Sequence, residues 1–222
     1  NCTKNVILLN ENKKKVFNTG AAEIEGIYET TLYSKRELYN KINLKYNLPF
    51  ALVTFHSETN ASKENNVSFS KVAYKTLKKI DEHVLISAPA PDPYYQPYLK
   101  LCNDISKCEN STYIPNLGFK LYISAMKYAS YLLGNSSSGI IESASIKVPV
   151  VNVGSRQKNR ERAVNVVDCE FNEKQILNSI KIVKTKKFRK KIIKIKNPYG
   201  DGKFSRKAIK IIENIRWPLE VK

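Results

Sequence analysis

The chain has 222 residues, of which 42% are hydrophobic, and a formal net charge of +18. This length is enough to bury a sizeable core, and no apolar run approaches the roughly 20 residues of a membrane-spanning helix. The densest basic block, residues 181–196, has apolar residues between its lysines, as on a solvated amphipathic segment. Because the sequence also lacks a zinc-finger, helix-turn-helix or aromatic RNA-binding pattern, we expect neither a membrane nor a nucleic acid as partner.

The four cysteines are scattered along the sequence. They are Cys2, Cys102, Cys108 and Cys169. They contain no CxxC pair and no metal-ligand spacing, so we predict no metal site and no cofactor. Cys102 and Cys108 could form a disulfide if the loop between them folded back, but a core of this size needs no covalent links. We therefore expect free thiols and a cytoplasmic protein. The apolar run 6–9 is too short for a signal peptide.

The first predicted elements lead to a buried strand. Residues 15–20 are predicted as a short strand that ends in a glycine turn. A helix is predicted over 34–46, because Ser34 is a suitable N-cap and Glu37 can complete a capping box. The continuous apolar run 49–55 predicts a buried strand. A polar turn and a helix at about 67–81 follow this strand.

The middle of the chain alternates strands with helices. Strands are predicted at 83–88, 111–115 and 131–133, and a helix at 119–129. Prolines in the turn 89–97 exclude a helix that begins before about Tyr95.

The stretch 134–139, here called the serine turn, reads Gly-Asn-Ser-Ser-Ser-Gly. It follows a buried strand and precedes a predicted helix over about 140–145. Hydroxyls and backbone N–H groups beside a helix N-terminus attract anions, and phosphate above all. Glu142 could accept two hydrogen bonds from a vicinal diol such as a ribose. The alternative is that the serines only cap the helix.

The remaining elements continue the alternation. A strand at 147–154 opens into the basic segment 155–162, and a further strand at 163–168 precedes a helix from about residue 172. A rigid turn at 197–202 then leads to an amphipathic helix over about 204–215.

Strands that alternate with helices at this spacing predict an α/β fold with a mostly parallel, Rossmann-like sheet and helices on both faces. Right-handed crossovers then place every strand-exit loop along one edge. That edge gathers His56, Leu117, the serine turn and Arg156. Polar and basic groups on four separate loops make a nucleotide the natural occupant.

Several stretches resemble motifs of the UDP-N-acetylglucosamine 2-epimerase family. The hydrolysing branch, which makes N-acetylmannosamine or a related sugar for sialic-acid-like products, is the most similar. The resemblance spans most of the chain. The stretches that carry it are 16–20, 54–56, 134–142, 149–163 and 197–202. Their order along the chain is the order of the corresponding motifs in the family.

The resemblance implies the C-terminal domain of a glycosyltransferase-B-like fold. It divides the chain into residues 1–20 as a remnant of a preceding domain, 21–202 as the nucleotide-binding domain, and 203–222 as a crossover helix. The residues that it implies for binding UDP are Ser136, Ser137, Glu142 and Arg156, with Leu117 at the uracil through its backbone. His56, near the diphosphate and sugar, is the implied catalytic residue.

Two departures from the family pattern qualify this resemblance. Ala90 replaces an asparagine, which puts one substrate contact in doubt. The family's amino-terminal domain, with the carboxylates expected to move protons at the sugar C2, is missing, so we expect the isolated chain to be inactive. In the complete protein, C2 deprotonation, elimination of UDP and addition of water to the glycal would release the 2-epimer.

The resemblance also sets expectations for partners. These are a UDP-sugar, the missing domain and, as a candidate, a second copy of the chain. Without its natural cover, the apolar face of the last helix should be exposed or packed onto another copy; that face comprises Ile209, Ile211, Ile212, Ile215 and Trp217. A related glycosyltransferase, a non-catalytic basic module, and a GDP or bacillosamine-type sugar substrate all stay open.

Overall fold

The structure, a computed structural model, describes residues 2–215. The strands are β1 (Phe50–Thr54), β2 (His83–Ile86), β3 (Ser111–Tyr113), β4 (Tyr131–Gly134), β5 (Val150–Val153) and β6 (Val166–Cys169). The helices are α1 (Cys2–Leu8), α2 (Ala22–Glu29), α3 (Lys35–Lys41), α4 (Lys63–Leu77), α5 (Gln96–Ile105), α6 (Gly118–Tyr128), α7 (Ser143–Ile146), α8 (Glu173–Lys184), α9 (Lys186–Ile192) and α10 (Phe204–Asn214).

The six strands form one sheet in the order β3-β2-β1-β4-β5-β6, and every neighbouring pair is parallel. Strand β1 lies near the centre of the sheet, with β2 and β3 in sequence on one side of it and β4, β5 and β6 in sequence on the other. The strand order therefore reverses between β1 and β4, which is where open parallel sheets form a crevice for ligands. This topology confirms the predicted Rossmann-like fold.

The sheet is buried on both faces, as its continuous apolar strands require. All five residues of β1 are buried. Ala51 and Val53 belong to the cluster that packs against α4, α5 and α8. Phe50 and Leu52 are equally buried but outside that cluster, and alternation along a strand directs them to the opposite face. Among the described residues, Thr31–Lys196 form one compact unit, and residues 2–30 together with residues 197–215 form another.

Capping residues set where the helices begin. The Ser34 side chain accepts from the Glu37 N–H (3.3 Å), and the Glu37 carboxylate accepts from the Ser34 N–H (2.8 Å), which confirms the predicted capping box. Helix α4 begins four residues before the predicted position because Ser62 caps it through the Asn65 N–H. Helix α5 begins at Gln96, which agrees with the exclusion of a helix start before about Tyr95.

Two sequence predictions of local structure are wrong. Residues 15–20 do not form a strand: a 3₁₀ turn at Lys13–Lys15 precedes an extended stretch that pairs with no strand among the described residues. The helix predicted over 140–145 is interrupted. A 3₁₀ turn spans Ser137–Gly139, and the four-residue α7 begins at Ser143, after three intervening residues. Glycine, serine and β-branched isoleucine all disfavour a continuous helix here, so the helix dipole at the serine turn is weaker than expected.

In the smaller unit, α10 packs against α2. The Glu25 carboxylate at α2 accepts from the backbone N–H (2.9 Å) and hydroxyl (2.5 Å) of Ser205. On α10, Ile209 and Ile212 are each 55% exposed, so the expected exposed apolar face is present at these positions. Trp217 lies outside the described residues.

Three cysteines have free thiols in the structure: Cys102, Cys108 and Cys169. Among residues 2–215 no helix combines the length and apolar character that crossing a bilayer demands.

Candidate functional site

The predicted site residues follow the carboxyl ends of four strands. His56 follows β1, Leu117 follows β3, the serine turn includes the end of β4, and Arg156 follows β5. Because the strands are parallel, these loops share one edge of the sheet. The contacts between the loops show which residues meet.

Gly134 lets the serine turn start directly against β1. Its φ is +144°, and a Cβ built at this position would lie 1.9 Å from the carbonyl oxygen of Thr54. The next residue, Asn135, donates its backbone N–H to that same oxygen at 3.2 Å. Only glycine permits this close approach, which fixes the exits of β1 and β4 side by side.

Asn135 joins three of the loops. Its buried side chain accepts from the His56 N–H (2.7 Å) and donates to the His56 carbonyl oxygen (2.9 Å). Its own carbonyl oxygen accepts from Gln157 Nε2 (2.8 Å) and Arg156 Nη1 (3.5 Å). The structure thus brings His56, Arg156 and the serine turn together at the switch point of the sheet.

His56 is held as a neutral imidazole. Burial, and secondarily the neighbouring Arg156 charge, lower its pKa to about 4, although Asp92 opposes this. Its Nδ1 accepts from the backbone N–H of Ala90 at 2.8 Å, so the ring proton resides on Nε2. The Nε2–H is then a hydrogen-bond donor. The contact uses only the backbone of Ala90, so the replacement of asparagine there leaves it intact.

Arg156 is oriented by a carboxylate from the loop after β2. Its Nη2 lies 3.1 Å from Asp92 Oδ2, and the Arg156 side chain is 25% exposed. The loop that carries Asp92 also carries Ala90, which bonds to His56. One loop therefore sets the positions of both the imidazole and the guanidinium.

The hydroxyls of the serine turn form a short network. Ser138 is buried, and its hydroxyl contacts those of Ser136 (3.0 Å) and Tyr122 (2.6 Å). The Ser136 hydroxyl also accepts from the Ser138 N–H (3.4 Å), so part of its capacity is used inside the turn. Ser137 and Glu142 are half-buried. Their predicted roles in holding a nucleotide stay predictions.

Leu117 lies further along the same edge. It directly precedes α6, and the residue as a whole is 8% exposed. Gly118 has a φ of +61°, and its N–H donates to the Asn116 side chain at 2.8 Å. The predicted contact of its backbone with a uracil stays a prediction. Tyr122, one turn into α6, links this region to the serine turn.

Sequence reasoning gave no role to Glu58, which the structure makes central. Glu58 is 6% exposed, and its carboxylate accepts from the Ser155 N–H (2.6 Å), the Ser155 hydroxyl (2.6 Å) and the Arg156 N–H (3.2 Å). These partners lie 97 and 98 positions further along the chain. The available signals were an acidic residue two positions after His56 and the glycine at position 154.

The assembled edge presents hydrogen-bond donors and one guanidinium. The donors are His56 Nε2–H, the Arg156 side chain and the partly exposed serines, and these suit an anion such as a diphosphate. Among the described residues no group of three or more His, Cys, Asp and Glu could hold a metal ion.

Comparison with known proteins gives a family match. A family model described as UDP-N-acetylglucosamine 2-epimerase matches residues 1–213. A Campylobacter jejuni protein, "GDP/UDP-N,N'-diacetylbacillosamine 2-epimerase (hydrolyzing)", is 33% identical over 177 residues, which are 77% of this chain and 45% of that protein. The Escherichia coli "Polysialic acid biosynthesis protein P7" is 30% identical over 219 residues, covering 95% of this chain and 54% of the relative.

A solved structure has the same fold. The crystal structure of UDP-GlcNAc 2-epimerase from Neisseria meningitidis, bound to UDP-GlcNAc, superposes with a TM-score of 0.74 at 20% sequence identity. The match covers 96% of this chain and 59% of that one. The chain spans about half the length of the curated relatives that it matches.

Proposed function

Because the chain belongs to the UDP-N-acetylglucosamine 2-epimerase family, we propose that it is the UDP-binding part of a hydrolysing 2-epimerase. The observation that carries the proposal is the contact of Asn135 with both His56 and Arg156, which gathers donors at the sheet's switch point. The proposed substrate is a UDP-linked acetamido sugar, and the products are its free 2-epimer and UDP. We place this reaction in the cytoplasm, a proposal that the free thiols support.

Each predicted residue has a proposed role in holding UDP. The Arg156 guanidinium and the hydroxyls of Ser136 and Ser137 would bond the diphosphate oxygens. The Glu142 carboxylate would accept from the ribose hydroxyls, and the Leu117 backbone would contact the uracil. These assignments follow the family resemblance, and the shared edge of the sheet supports them.

His56 is proposed as a donor to the leaving diphosphate. Its Nδ1 accepts from the Ala90 N–H, so its Nε2–H is the ring group that can donate to a negatively charged oxygen. As the bond from the sugar C1 to the diphosphate breaks, charge grows on the departing oxygen, and a positioned donor stabilises it. A neutral His56 already protonated on Nε2 is poorly placed to remove the C2 proton.

The base at C2 is therefore proposed to come from outside this chain. It would remove the C2 proton as UDP leaves, and water would add to the resulting glycal to give the 2-epimer. The chain spans about half the length of its relatives, which supports a base from a part of the protein outside this chain. The isolated chain should accordingly bind UDP without turning over a UDP-sugar.

Calorimetric titration of the chain tests the proposal. We expect binding of UDP and of UDP-GlcNAc, and only weak, salt-sensitive binding of a random oligonucleotide. Arg156→Ala should weaken UDP binding about 10- to 100-fold, because a charge-assisted bond is lost. Lys158→Ala is the matched control, since this neighbouring lysine is exposed, and it should leave the affinity unchanged. An absence of UDP binding would reject the proposal, and tight oligonucleotide binding in its place would favour a basic binding module.

A further inference from the structure

Glu58 is a buried carboxylate whose partners are backbone and hydroxyl groups of the segment after β5. One carboxylate oxygen accepts from two consecutive N–H groups, those of Ser155 and Arg156, and the other accepts from the Ser155 hydroxyl. Consecutive N–H groups in a turn form an anion-binding concavity. Here the chain's own carboxylate fills it.

The residue before these donors is shaped for this contact. Gly154 has a φ of +79°, and a Cβ at that position would lie 2.1 Å from Glu58 Oε1 and 2.5 Å from the ring of Phe171. Any side chain would push the carboxylate away from both N–H groups. The contact of Glu58 with the two N–H groups therefore requires glycine at position 154.

Glu58 is itself anchored from behind. The buried Asn66 side chain accepts from the Glu58 N–H (2.9 Å) and donates to the Glu58 carbonyl oxygen (3.1 Å). The Tyr98 hydroxyl donates to the same Asn66 oxygen at 3.2 Å. A chain of hydrogen bonds thus runs from the core between α4 and α5 to the backbone of Arg156.

We infer that Glu58 is a positioning residue for the nucleotide site, which acts by fixing the backbone of Arg156 so that its guanidinium stands beside His56 and the serine turn. This inference rests on the proposed function, because the ligand that Arg156 meets is the diphosphate of UDP. Glu58 is 6% exposed and both of its carboxylate oxygens accept from Ser155 or Arg156, so we expect no direct contact between this carboxylate and the ligand. Its effect on binding must pass through Arg156.

The test compares UDP affinity and thermal unfolding in a set of variants of this chain. Glu58→Ala should weaken UDP binding about tenfold, because it removes every acceptor, and by no more than Arg156→Ala does. Glu58→Gln should restore most of the affinity, since its amide oxygen can still accept both N–H groups. In the Arg156→Ala background, Glu58→Ala should cause no further loss of affinity.

Glu82→Ala is the matched control, because Glu82 is as buried as Glu58 (7% exposed) and directly precedes β2 at the opposite edge of the sheet. It should lower the unfolding temperature and leave UDP affinity unchanged. If Glu58→Ala behaves like this control, or adds its full loss to that of Arg156→Ala, the positioning role is wrong.

Should Glu58→Ala not fold, Ser155→Ala should weaken UDP binding about twofold, and an unchanged affinity would overturn the inference. Failure of the unaltered chain to bind UDP would reject the proposed function and this inference together.

Discussion

Near each end of strand β4 lies a buried acidic residue, and the two residues have different hydrogen-bond and ion-pair partners. At the amino end, the Tyr131 hydroxyl donates to Glu82 (3.0 Å), and Lys184 Nζ lies 2.5 Å from the other Glu82 oxygen. At the carboxyl end, Gly134 packs against Thr54 and opens into the serine turn. There the buried acid, Glu58, accepts from the Ser155 hydroxyl and from the backbone N–H groups of Ser155 and Arg156.

The difference lies in which groups pair with the buried acid at each end. At the amino end, a cation on α8, Lys184, pairs directly with the buried acid. At the carboxyl end, Glu58 accepts from two backbone N–H groups and a hydroxyl, and the Arg156 guanidinium pairs instead with Asp92, whose side chain is 31% exposed. The first arrangement joins a cation to the buried acid itself, whereas the second joins the guanidinium to a carboxylate that solvent reaches.

The largest expected effect tests the close approach at the carboxyl end. Gly134→Ala should lower the free energy of unfolding by more than about 3 kcal/mol, because the new Cβ would overlap backbone atoms of Thr54 that cannot move aside. Urea unfolding monitored by circular dichroism measures this change.

Gly118→Ala is the control for backbone conformation alone. Gly118 also has a positive φ (+61°), but a Cβ there would meet nothing within 4 Å. Its cost should be about 1 kcal/mol, the penalty of a left-handed residue. Equal losses in the two variants would mean that the contact with Thr54 does not set the position of the serine turn.

The next effect concerns protonation of His56. Its pKa is about 4 in the folded chain, against 6.5 for a free histidine, so the unfolded chain binds more protons between these values. Stability should therefore be fully present above pH 6.5 and fall as the pH drops through 4, by about 2 to 3 kcal/mol from this group. Urea unfolding across this range should show a smaller loss for His56→Gln.

NMR titration checks the same prediction directly. The chain has two histidines, and the His56 ring signal, assigned by its loss in His56→Gln, should titrate near pH 4. A midpoint near 6.5 would show that the ring is solvated and free of the Ala90 contact.

The smallest effect tests the amino end. Tyr131→Phe removes one hydrogen bond to Glu82 but leaves the ion pair with Lys184, so the free energy of unfolding should fall by about 1 kcal/mol. UDP affinity, measured calorimetrically, should not change. A loss of affinity comparable to that of Arg156→Ala would contradict the separation of the two ends.

Local signals explain which predictions from sequence succeeded. The buried strands were visible as short apolar runs, and the capping box at Ser34 and Glu37 is a contact between near neighbours. The strand predicted at 15–20 was wrong because a strand needs a partner, which local sequence does not supply. The helix predicted over 140–145 was wrong for another reason: its glycine, serine and β-branched isoleucine residues disfavour a continuous helix, and the apolar pattern outweighed them in the prediction.

The sequence by itself determined the alternation of strands and helices, and hence the edge where His56, Leu117, the serine turn and Arg156 would lie. It did so because burial and backbone conformation are read from adjacent residues. Only the tertiary structure decided that Asn135 would join His56 to Arg156, and that Glu58 would hold a segment 97 residues away. Hydrogen bonds between distant loops depend on how the sheet brings strand ends together, and no local pattern encodes those distances.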